Sequence, residues 1–563
     1  MPSPSYVHGA SDQPLLGQTI GELFDKTVLR FGDREALVDR TKNVRLTYRA
    51  LGDQAAALAR GLLELGVASG ERVGIWSPNR WEWVVTQFGT AKIGAILVNI
   101  NPAYRLRELS YALQQSGIRT LIMAPAFGRS DYLAMLRDLL PSLAECHVQT
   151  PDFPDLKEVV VLGDDAPEGT MRWQNLLALA DRVPDLELQA RQREVQFDDP
   201  VNIQYTSGTT GMPKGATLSH HNLLNNGYFI GELMHFSERD RLCIPVPFYH
   251  TFGMVLANLA CVTHGATMVI PGEGFDAEQV LATVEAERCT ALHGVPTMFI
   301  AELQHPAFGN YDLSSLRTGL MAGSPCPVEV MRQVQSRMHM AEVEIAYGMT
   351  ETSPVSTQTR SDDPLDLRVS TVGKVHPHVE IKIVDPATGA VVQRGEPGEL
   401  VTRSYAVMLG YWNNPAATSQ AIDGARWMHT GDLAVMREDG YVNIVGRIKD
   451  MIIRGGENIY PREIEEFYYT HPKVADIQVI GVPDSKYGEQ VMACIRLKNG
   501  QAATEEEMRE FARGQIAHYK VPHYVTFVEA FPMTVTGKVQ KYLMREMAVK
   551  ELGLEGAAGT TTA

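Results

Sequence analysis

The chain has 563 residues, of which 44% are apolar and 21% are charged, the profile of a globular protein with about two to four domains. Lys and Arg total 51 against 67 for Asp and Glu, so the formal net charge is −16. This balance excludes a general nucleic-acid binder, which would need a basic surface. A chain this acidic can accept an anionic substrate only where basic groups are concentrated locally.

The distribution of cysteines and apolar residues favours a cytoplasmic protein. No two of the six cysteines have the CxxC spacing of a zinc or redox site, so we expect reduced, buried thiols. The first 16 residues lack the basic and apolar regions of a secretory signal. The most apolar stretch, 81–100, contains Glu82, Gln87 and Lys92, which predicts a buried helix running into a strand and no transmembrane segment. Homodimer formation and peripheral membrane contact are left open.

The first part of the chain predicts alternating strands and helices. Thr19 and Glu22 have the spacing of a capping box, which places the first helix directly after Thr19. Strands that alternate with helices predict an α/β fold, with a large N-terminal domain of doubly wound, mostly parallel subdomains. The apolar runs that alternate with helical stretches lie at 72–76, 95–100, 120–124 and 158–162, and again between 240 and 321.

The pattern changes in the second part of the chain. Alternating residues and turns between 371 and 410 predict a small antiparallel, β-barrel-like unit. A domain boundary follows, because the chain restarts a short α+β pattern whose first helix opens at Pro461. We expect this smaller C-terminal domain over 451–552, followed by a disordered tail over 553–563 that is rich in Gly, Ala and Thr.

A loop rich in Gly, Ser and Thr over 205–215 is the strongest functional motif. Its glycines let backbone N–H groups approach an anion, its hydroxyls donate hydrogen bonds, and Lys214 adds a positive charge, which together suit a polyphosphate. A Walker A loop is excluded because Met212 and Pro213 precede the lysine and no Ser or Thr follows it. The flanking residues predict a link between two strands, with Ser219 as the N-cap of the next helix. A plain flexible turn is the alternative.

This loop resembles the phosphate-binding signature of the adenylate-forming superfamily, which includes acyl-CoA synthetases, nonribosomal-peptide adenylation domains and luciferases. The resemblance covers nearly the whole chain, from about 19 to 551. Within the superfamily, the stretches 5–9 and 449–463 are most similar to medium-chain fatty acyl-CoA synthetases. Six further motifs occur in the order expected for the superfamily, at 247–253, 322–325, 346–351, 429–432, 446–450 and 532–538.

The resemblance implies a two-step reaction that uses ATP, Mg²⁺ and coenzyme A. A fatty carboxylate attacks the α-phosphate of ATP, giving an acyl-adenylate and pyrophosphate, and the thiol of coenzyme A then displaces AMP. Thr350 is implied to reach the α-phosphate, and Glu351 is implied to hold Mg²⁺. The residues implied to hold the β- and γ-phosphates are Thr206, Ser207, Gly208, Thr209, Thr210 and Lys214.

The resemblance also implies where the adenosine part of ATP binds. Tyr347 stacks on adenine, Asp432 accepts hydrogen bonds from the ribose hydroxyls, and Arg447 lies near the ribose and phosphate. The opposite side of the adenine is covered by Gly323, Ser324 and Pro325.

The C-terminal domain is implied to act in both steps. Lys538 bridges the attacking carboxylate and the α-phosphate and so stabilises charge in the transition state. A hinge over 447–450, with Lys449 as its pivot, joins this domain to an N-terminal domain over 1–446. Rotation at the hinge then places Gly455 and Gly456 along the pantetheine tunnel.

Aromatic and methionine side chains are candidates for the acyl pocket, because such a wall suits a flexible alkyl chain. His250 is interpreted as a gate between the acyl and coenzyme A sites, with a structural histidine as the alternative. Ala346 stands where many relatives have Gly, and its extra methyl group favours medium-chain acids. The candidates are Phe248, His250, Phe252, Met254, Met321 and Met349.

Three other functions are compatible with parts of this pattern. A nonribosomal adenylation module shares the motifs, but too few residues follow Lys538 for a carrier domain; loading of a carrier protein in trans stays open. A luciferase-like oxygenase shares the fold, although nothing in the sequence indicates a luciferin site. A non-catalytic nucleotide-binding protein is disfavoured because Lys214, Glu351, Asp432 and Lys538 are all present.

Overall fold

A computed structural model of the chain shows how these segments assemble. The residues that the structure describes are 3–145, 148, 150–163, 166–206, 213–324, 326–455, 457–484, 486–534 and 538–554.

The strands, in chain order, are β1 Tyr6–His8, β2 Glu35–Asp39, β3 Val44–Thr47, β4 Arg72–Trp76, β5 Ile96–Ile100, β6 Ile118–Met123, β7 Ala126–Phe127, β8 Ser130–Asp131, β9 Glu158–Val161, β10 Met171–Arg172, β11 Pro200–Thr206, β12 Lys214–Ser219, β13 Arg241–Cys243, β14 Thr267–Ile270, β15 Ala291–Leu292, β16 Thr318–Ala322, β17 Glu342–Gly348, β18 Val355–Gln358, β19 Lys374–Val375, β20 Val379–Val384, β21 Pro397–Ser404, β22 Gly410–Tyr411, β23 Met428–Met436, β24 Val442–Arg447, β25 Ile452–Arg454, β26 Glu457–Ile459, β27 Val474–Asp484, β28 Gly488–Leu497 and β29 Tyr524–Phe527.

The α-helices are α1 Ile20–Phe31, α2 Tyr48–Glu64, α3 Trp81–Lys92, α4 Leu106–Ser116, α5 Tyr132–Leu139, α6 Trp173–Ala178, α7 Asp185–Glu194, α8 His220–Leu233, α9 Ala260–His264, α10 Ala277–Glu287, α11 Pro296–Leu303, α12 Val328–Arg337, α13 Leu365–Ser370, α14 Pro415–Ala421, α15 Pro461–Tyr469, α16 Glu505–Ala512 and α17 Lys541–Glu551.

Two large sheets form the body of the molecule. The first has the strand order β10-β9-β6-β4-β5-β11-β12-β22, and the second has the order β19-β18-β17-β16-β15-β13-β14-β2-β3. The central pairs are parallel, as in β4–β5 and β16–β17, whereas β11–β12 and β17–β18 are antiparallel. The expected α/β fold with doubly wound subdomains is therefore confirmed, and its sheets carry antiparallel strands at their edges.

Local signals placed several elements correctly. Helix α1 follows Thr19, whose hydroxyl accepts from the Glu22 amide, and the Glu22 side chain accepts from the Thr19 amide. The apolar stretch near 81–100 is the buried helix α3 followed by β5, as expected. Ser219 caps α8 as predicted, with Asn222 completing the capping box.

The small unit after the second large sheet differs in detail from the expected barrel. It is a five-stranded antiparallel sheet in the order β1-β20-β21-β23-β24, whose described pairings end at β1 and at β24. The N-terminal strand β1 joins it by pairing with β20, a contact between segments far apart in the chain. Local periodicity does not encode such a pairing, so the sequence alone missed it.

A separate sheet follows β24. Its order is β26-β25-β28-β27, with β29 parallel to β28, and α15, α16 and α17 accompany it. A buried cluster that includes Ile464, Tyr468 and Val479 fills the space between this sheet and its helices. In the part of the chain that the structure describes, no helix is both long and apolar enough to cross a membrane.

Candidate active site

The expected phosphate-binding loop begins and ends on two paired strands. Strand β11 ends at Thr206, β12 begins at Lys214, and these two residues are partners across the antiparallel pair. The Thr206 hydroxyl donates to the Lys214 carbonyl at 3.3 Å, which closes the base of the loop. The predicted strand-to-strand link is thereby confirmed. The other predicted phosphate ligands lie outside the described residues: Ser207, Gly208, Thr209 and Thr210.

Glu351 lies at the base of the same loop. A short 3-10 turn over Thr350–Thr352 follows β17 and buries both Thr350 and Glu351, the latter to 5% exposure. The Glu351 atom Oε1 accepts from the Thr206 hydroxyl at 3.3 Å and from the Tyr411 hydroxyl at 2.8 Å. The structure thus brings the predicted metal ligand to the predicted phosphate loop, although 145 residues separate Thr206 from Glu351.

Tyr411 is a site residue that local sequence patterns do not reveal. Its strand, β22, has two residues and joins the first sheet by pairing with β12. The Lys214 ammonium nitrogen lies 5.2 Å from the centre of the Tyr411 ring, within the range of a cation–π contact. The signal in the sequence is an aromatic pair after Gly410, which by itself is equally typical of a packing position.

A second group of predicted residues meets where β17 approaches β23 and β24. Asp432 and Arg447 are cross-strand partners, and the Arg447 Nε lies 3.0 Å from Asp432 Oδ1. The Tyr347 hydroxyl donates to Asp432 Oδ2 at 2.7 Å. Burial, reinforced by the negative charge of Asp432, raises the pKa of Tyr347 well above its usual value, so the phenol stays a donor. Both oxygens of this carboxylate, which is 6% exposed, therefore accept hydrogen bonds.

The turn expected to cover the adenine lies at the end of the neighbouring strand. Strands β16 and β17 are parallel, and Ala322 is the partner of Ala346. Gly323 follows with a φ of +89°, a left-handed conformation that favours glycine, and Ser324 comes next. Since the carboxyl ends of parallel strands share one edge, this turn and Tyr347 lie at the same edge of the sheet. Pro325 lies outside the described residues.

Lys538 approaches this site from the C-terminal part of the chain. Its backbone is held by Thr534, whose hydroxyl accepts from the Lys538 amide at 3.1 Å and whose amide donates to the Lys538 carbonyl at 2.8 Å. Burial lowers the pKa of the Lys538 ammonium, the charge of Arg447 lowers it further, and Glu351 and Asp432 act in the opposite direction. The ammonium therefore lies within electrostatic reach of both carboxylates.

His250 lies near Lys538 and is neutral. Its Nδ1 accepts from the Phe252 amide at 3.1 Å, which assigns the ring proton to Nε2. Burial lowers the pKa of His250 to about 3, with a further contribution from the charge of Lys538. At neutral pH the imidazole can therefore donate from Nε2 without carrying charge.

The predicted acyl-pocket residues separate into two groups. A π-helix over Phe252–Leu259 carries Phe252 and Met254, and these pack in one buried cluster with Phe248 and Ala346. Met349 packs against the same cluster. Met321 belongs to a different cluster, because neighbouring residues of β16 point to opposite faces of the sheet. The assignment of Met321 to the pocket wall stays a prediction, although Met321 does not share the buried cluster of Phe252 and Met254.

The predicted hinge and tunnel residues lie further along the chain. Lys449 is in a 3-10 turn over Ile448–Asp450, directly after β24, where burial and the charge of Arg447 lower its pKa. Gly455 has a φ of +59° and donates its amide to the Tyr487 carbonyl at 2.8 Å. Among the described residues, no hydrogen bond joins Gly455 to Tyr347, Asp432 or Arg447. Gly456 lies outside the described residues.

The donor set at Glu351 suits a hard divalent cation. In the ranges that the structure describes, no group of three or more His, Cys, Asp or Glu side chains could hold a metal ion. A cation at Glu351 would therefore take its remaining ligands from phosphate oxygens and water, the coordination that Mg²⁺ prefers beside a nucleotide. The phosphate loop base at Thr206 lies next to this carboxylate.

Comparisons with known proteins identify the family of the chain. The family described as AMP-binding enzyme matches residues 24–412, and the AMP-binding enzyme C-terminal domain matches residues 463–538. The chain is 49% identical over 546 residues to the "Putative acyl-CoA synthetase YngI" of Bacillus subtilis, covering 96% of this chain and 99% of that protein. It is 45% identical over 555 residues to the mitochondrial medium-chain acyl-CoA ligase ACSF2 of Danio rerio, covering 98% and 91%. The crystal structure of the anthranilate CoA ligase AuaEII with anthranoyl-AMP matches with a TM-score of 0.85 and 27% identity, covering 96% of this chain and 99% of that one.

Proposed function

Since the chain belongs to the AMP-binding enzyme family, we propose that it is an acyl-CoA ligase that activates medium-chain fatty acids with ATP. In the first step the fatty carboxylate attacks the α-phosphate and releases pyrophosphate. In the second step the thiol of coenzyme A attacks the acyl carbonyl and releases AMP. The proposal agrees with the relatives, which are named as an acyl-CoA synthetase and a medium-chain acyl-CoA ligase.

The observation that supports the proposal is that the charges of two carboxylates, Glu351 and Asp432, both act on the Lys538 ammonium. Asp432 is assigned to the ribose end of ATP, and Glu351, beside Thr206, to the polyphosphate end. The Lys538 ammonium is in electrostatic reach of both. Because the α-phosphate joins the ribose to the β- and γ-phosphates, a cation that interacts with groups at both ends is suited to act at the phosphorus that the carboxylate attacks.

The residues of the phosphate site then have separate tasks. Lys214 and the backbone around Thr206 hold the β- and γ-phosphates, and Glu351 holds Mg²⁺, which when bound neutralises phosphate charge and orients the leaving pyrophosphate. Lys538 neutralises the charge that develops on the α-phosphate and the incoming carboxylate, so two anions can meet. Thr350, buried beside Glu351, supplies a hydroxyl to the α-phosphate.

In the adenosine site, the ribose hydroxyls of ATP become new hydrogen-bond donors to a carboxylate that the protein already holds. Asp432 accepts from the ribose hydroxyls, while Arg447, whose Nε lies 3.0 Å from Oδ1, orients the carboxylate. Tyr347 and the Gly323–Ser324–Pro325 turn enclose the adenine.

The second step needs a rotation of the C-terminal domain. We assign the N-terminal domain to 1–446, the hinge to 447–450 with Lys449 as pivot, and the C-terminal domain to 451–552. Rotation removes Lys538 and brings Gly455 and Gly456 to the path of the coenzyme A thiol. The neutral imidazole of His250, on which the charge of Lys538 acts, is then free to move when the lysine leaves.

Chain-length selection is assigned to the buried cluster of Phe248, Phe252, Met254 and Ala346. The Ala346 methyl group reduces the depth available to the alkyl chain relative to glycine. The Ala346→Gly variant is therefore expected to shift the preferred acid toward longer chains.

A substrate series tests the proposed function. Saturated acids from hexanoate to palmitate are assayed for carboxylate-dependent ATP–pyrophosphate exchange, and for AMP release with and without coenzyme A. We expect exchange without coenzyme A, fast AMP release only with it, and an optimum at medium chain length. A palmitate optimum would refute the chain-length assignment. AMP release that coenzyme A does not accelerate would favour loading of a carrier protein instead.

The five described cysteines are free and buried. This supports a reducing compartment, and we propose the cytoplasm, although the ACSF2 relatives are named as mitochondrial.

A further inference from the structure

Tyr411 connects the two halves of the phosphate site. Its hydroxyl donates to Glu351 Oε1 at 2.8 Å, and its ring lies beneath the Lys214 ammonium at 5.2 Å. One side chain thus contacts both the carboxylate assigned to the metal and the lysine assigned to the phosphates.

The hydrogen bonds to Glu351 are all on one oxygen. Oε1 accepts from the Tyr411 hydroxyl at 2.8 Å, and the Thr206 hydroxyl, at 3.3 Å, shares its single proton between Oε1 and the Lys214 carbonyl. Among the described residues, no hydrogen bond reaches Oε2. Within the described part of the chain, the protein thus holds the carboxylate through one of its two oxygens.

The segment that carries Tyr411 is fixed at several points. The Leu409 amide donates to the Thr217 carbonyl at 2.9 Å, and the Trp412 amide donates to the Gly215 carbonyl at 2.7 Å. The Met408 amide also donates to the backbone carbonyl of Glu351 at 2.9 Å. The hydroxyl therefore comes from a rigid strand that is tied to the residue it orients.

The alternative partner of Glu351 is a lysine. Lys214 lies over the ring of Tyr411, and Lys538 is within electrostatic reach of the carboxylate. A carboxylate released from Tyr411 could turn and pair with either ammonium, which would remove it from the cation and occupy the group meant for phosphate. The Tyr411 hydroxyl opposes this pairing.

We propose that Tyr411 is a positioning residue that sets the affinity of the ATP site for its divalent cation by fixing Oε1 of Glu351. The inference rests on the proposed function only in that Glu351 holds the cation beside ATP. Loss of a group that orients a metal ligand typically weakens metal affinity by about 10- to 100-fold. The hydroxyl is one of two donors on this oxygen, so we expect the lower end of that range.

The experiment measures Mn²⁺ binding to the full-length protein by electron paramagnetic resonance, in the presence of saturating α,β-methylene-ATP, which cannot be cleaved at the bond that adenylation breaks. Tyr411→Phe removes the hydroxyl and keeps the ring. We expect its dissociation constant for Mn²⁺ to rise about tenfold. Affinity for the nucleotide without metal is expected to stay unchanged, because Lys214 keeps its aromatic contact.

Two further variants separate positioning from general damage. In a Glu351→Gln background, Tyr411→Phe is expected to change Mn²⁺ affinity by less than about twofold, since the effect acts through the missing carboxylate. Tyr411→Leu removes the ring as well and is expected to weaken metal-free nucleotide binding. The matched control is Tyr132→Phe, which removes another buried hydroxyl. That hydroxyl donates to the Pro102 carbonyl at 2.6 Å, so the variant should bind Mn²⁺ as the wild type does.

The inference is overturned if Tyr411→Phe binds Mn²⁺ within twofold of the wild type, or if the tenfold loss persists in the Glu351→Gln background. The measurement needs neither a fatty acid nor coenzyme A. A failed substrate series with an intact Tyr411 effect would therefore refute the proposed function alone.

Discussion

Lys538 is a cation placed among other charges, and this fixes its protonation behaviour. Burial and the nearby Arg447 lower its pKa, while Glu351 and Asp432 partly restore it. The ammonium form is the one that can neutralise an α-phosphate. A lowered pKa means that this form is lost at a lower pH than for a solvent-exposed lysine.

The corresponding prediction concerns the pH dependence of adenylation. The kcat/KM for ATP, measured by ATP–pyrophosphate exchange, should fall on the alkaline side below the ordinary lysine pKa of about 10.4. His250 should add no acid limb near neutrality, because its pKa of about 3 leaves it neutral there. Lys538→Ala should lower exchange by about 10²–10³-fold.

Thioester formation from synthetic acyl-adenylate is the control for this variant. It should be spared in Lys538→Ala, since the lysine acts only before the adenylate exists. An equal loss in both half-reactions would contradict the role given to Lys538.

At the scale of secondary-structure elements, contacts between distant segments decide which strands lie at the sheet edges and where some helices begin and end. Short sequence patterns do not contain these contacts. The capping box of α1 and the strand over Arg72–Trp76 depend on neighbouring residues and were predictable. The π-helix over Phe252–Leu259 was not, because an apolar run has the same appearance in an α-helix. Strand β1 was missed since three residues carry too little periodicity.

Strand β1 supports a prediction about stability. A Cβ atom added to Gly9, directly after this strand, would lie 1.9 Å from the His376 carbonyl oxygen, a backbone atom that cannot move aside easily. Gly9→Ala should therefore destabilise the folded protein by about 1–3 kcal/mol by overpacking, measured as a lower Tm. Gly17→Ala is the matched control, because no atom lies within 4 Å of its added Cβ.

A Tm for Gly9→Ala equal to that of Gly17→Ala would show that β1 does not hold the N-terminus against the antiparallel sheet.

For the whole molecule, the net charge of −16 does not describe the local charge at the candidate active site, where basic side chains are concentrated. Arg447 pairs with Asp432, Lys538 feels the charges of Glu351 and Asp432, and Lys214 lies over Tyr411, which donates to Glu351. The proposed function requires both large parts of the molecule to contribute at once, so we expect their relative position to determine activity.

A substitution at the proposed hinge tests that determinant. Lys449→Pro restricts the φ angle at the pivot and should slow thioester formation by about 100-fold, as expected when a reacting group is misplaced. Adenylation should persist, because the arrangement with Lys538 at the site is already formed. The two half-reactions are measured separately, and normal overall turnover in Lys449→Pro would refute the hinge.

The sequence by itself determined the chemistry and the class of fold. The Gly/Ser/Thr loop is recognisable because residue type and local spacing decide what a segment can bind. The carboxylates and the C-terminal lysine are assigned through the resemblance to the adenylate-forming superfamily. Alternating apolar patterns likewise determine helices, strands and a parallel sheet.

Only the tertiary structure decided which of these residues meet. Tyr411 reaches Glu351 across 60 positions of the chain, through the pairing of β22 with β12. Met321 packs in a different buried cluster from Phe252 and Met254, although its type suits an alkyl chain equally well. Such contacts depend on strand order and on the face that each strand presents, and these are properties of packing between distant segments, which no local pattern specifies.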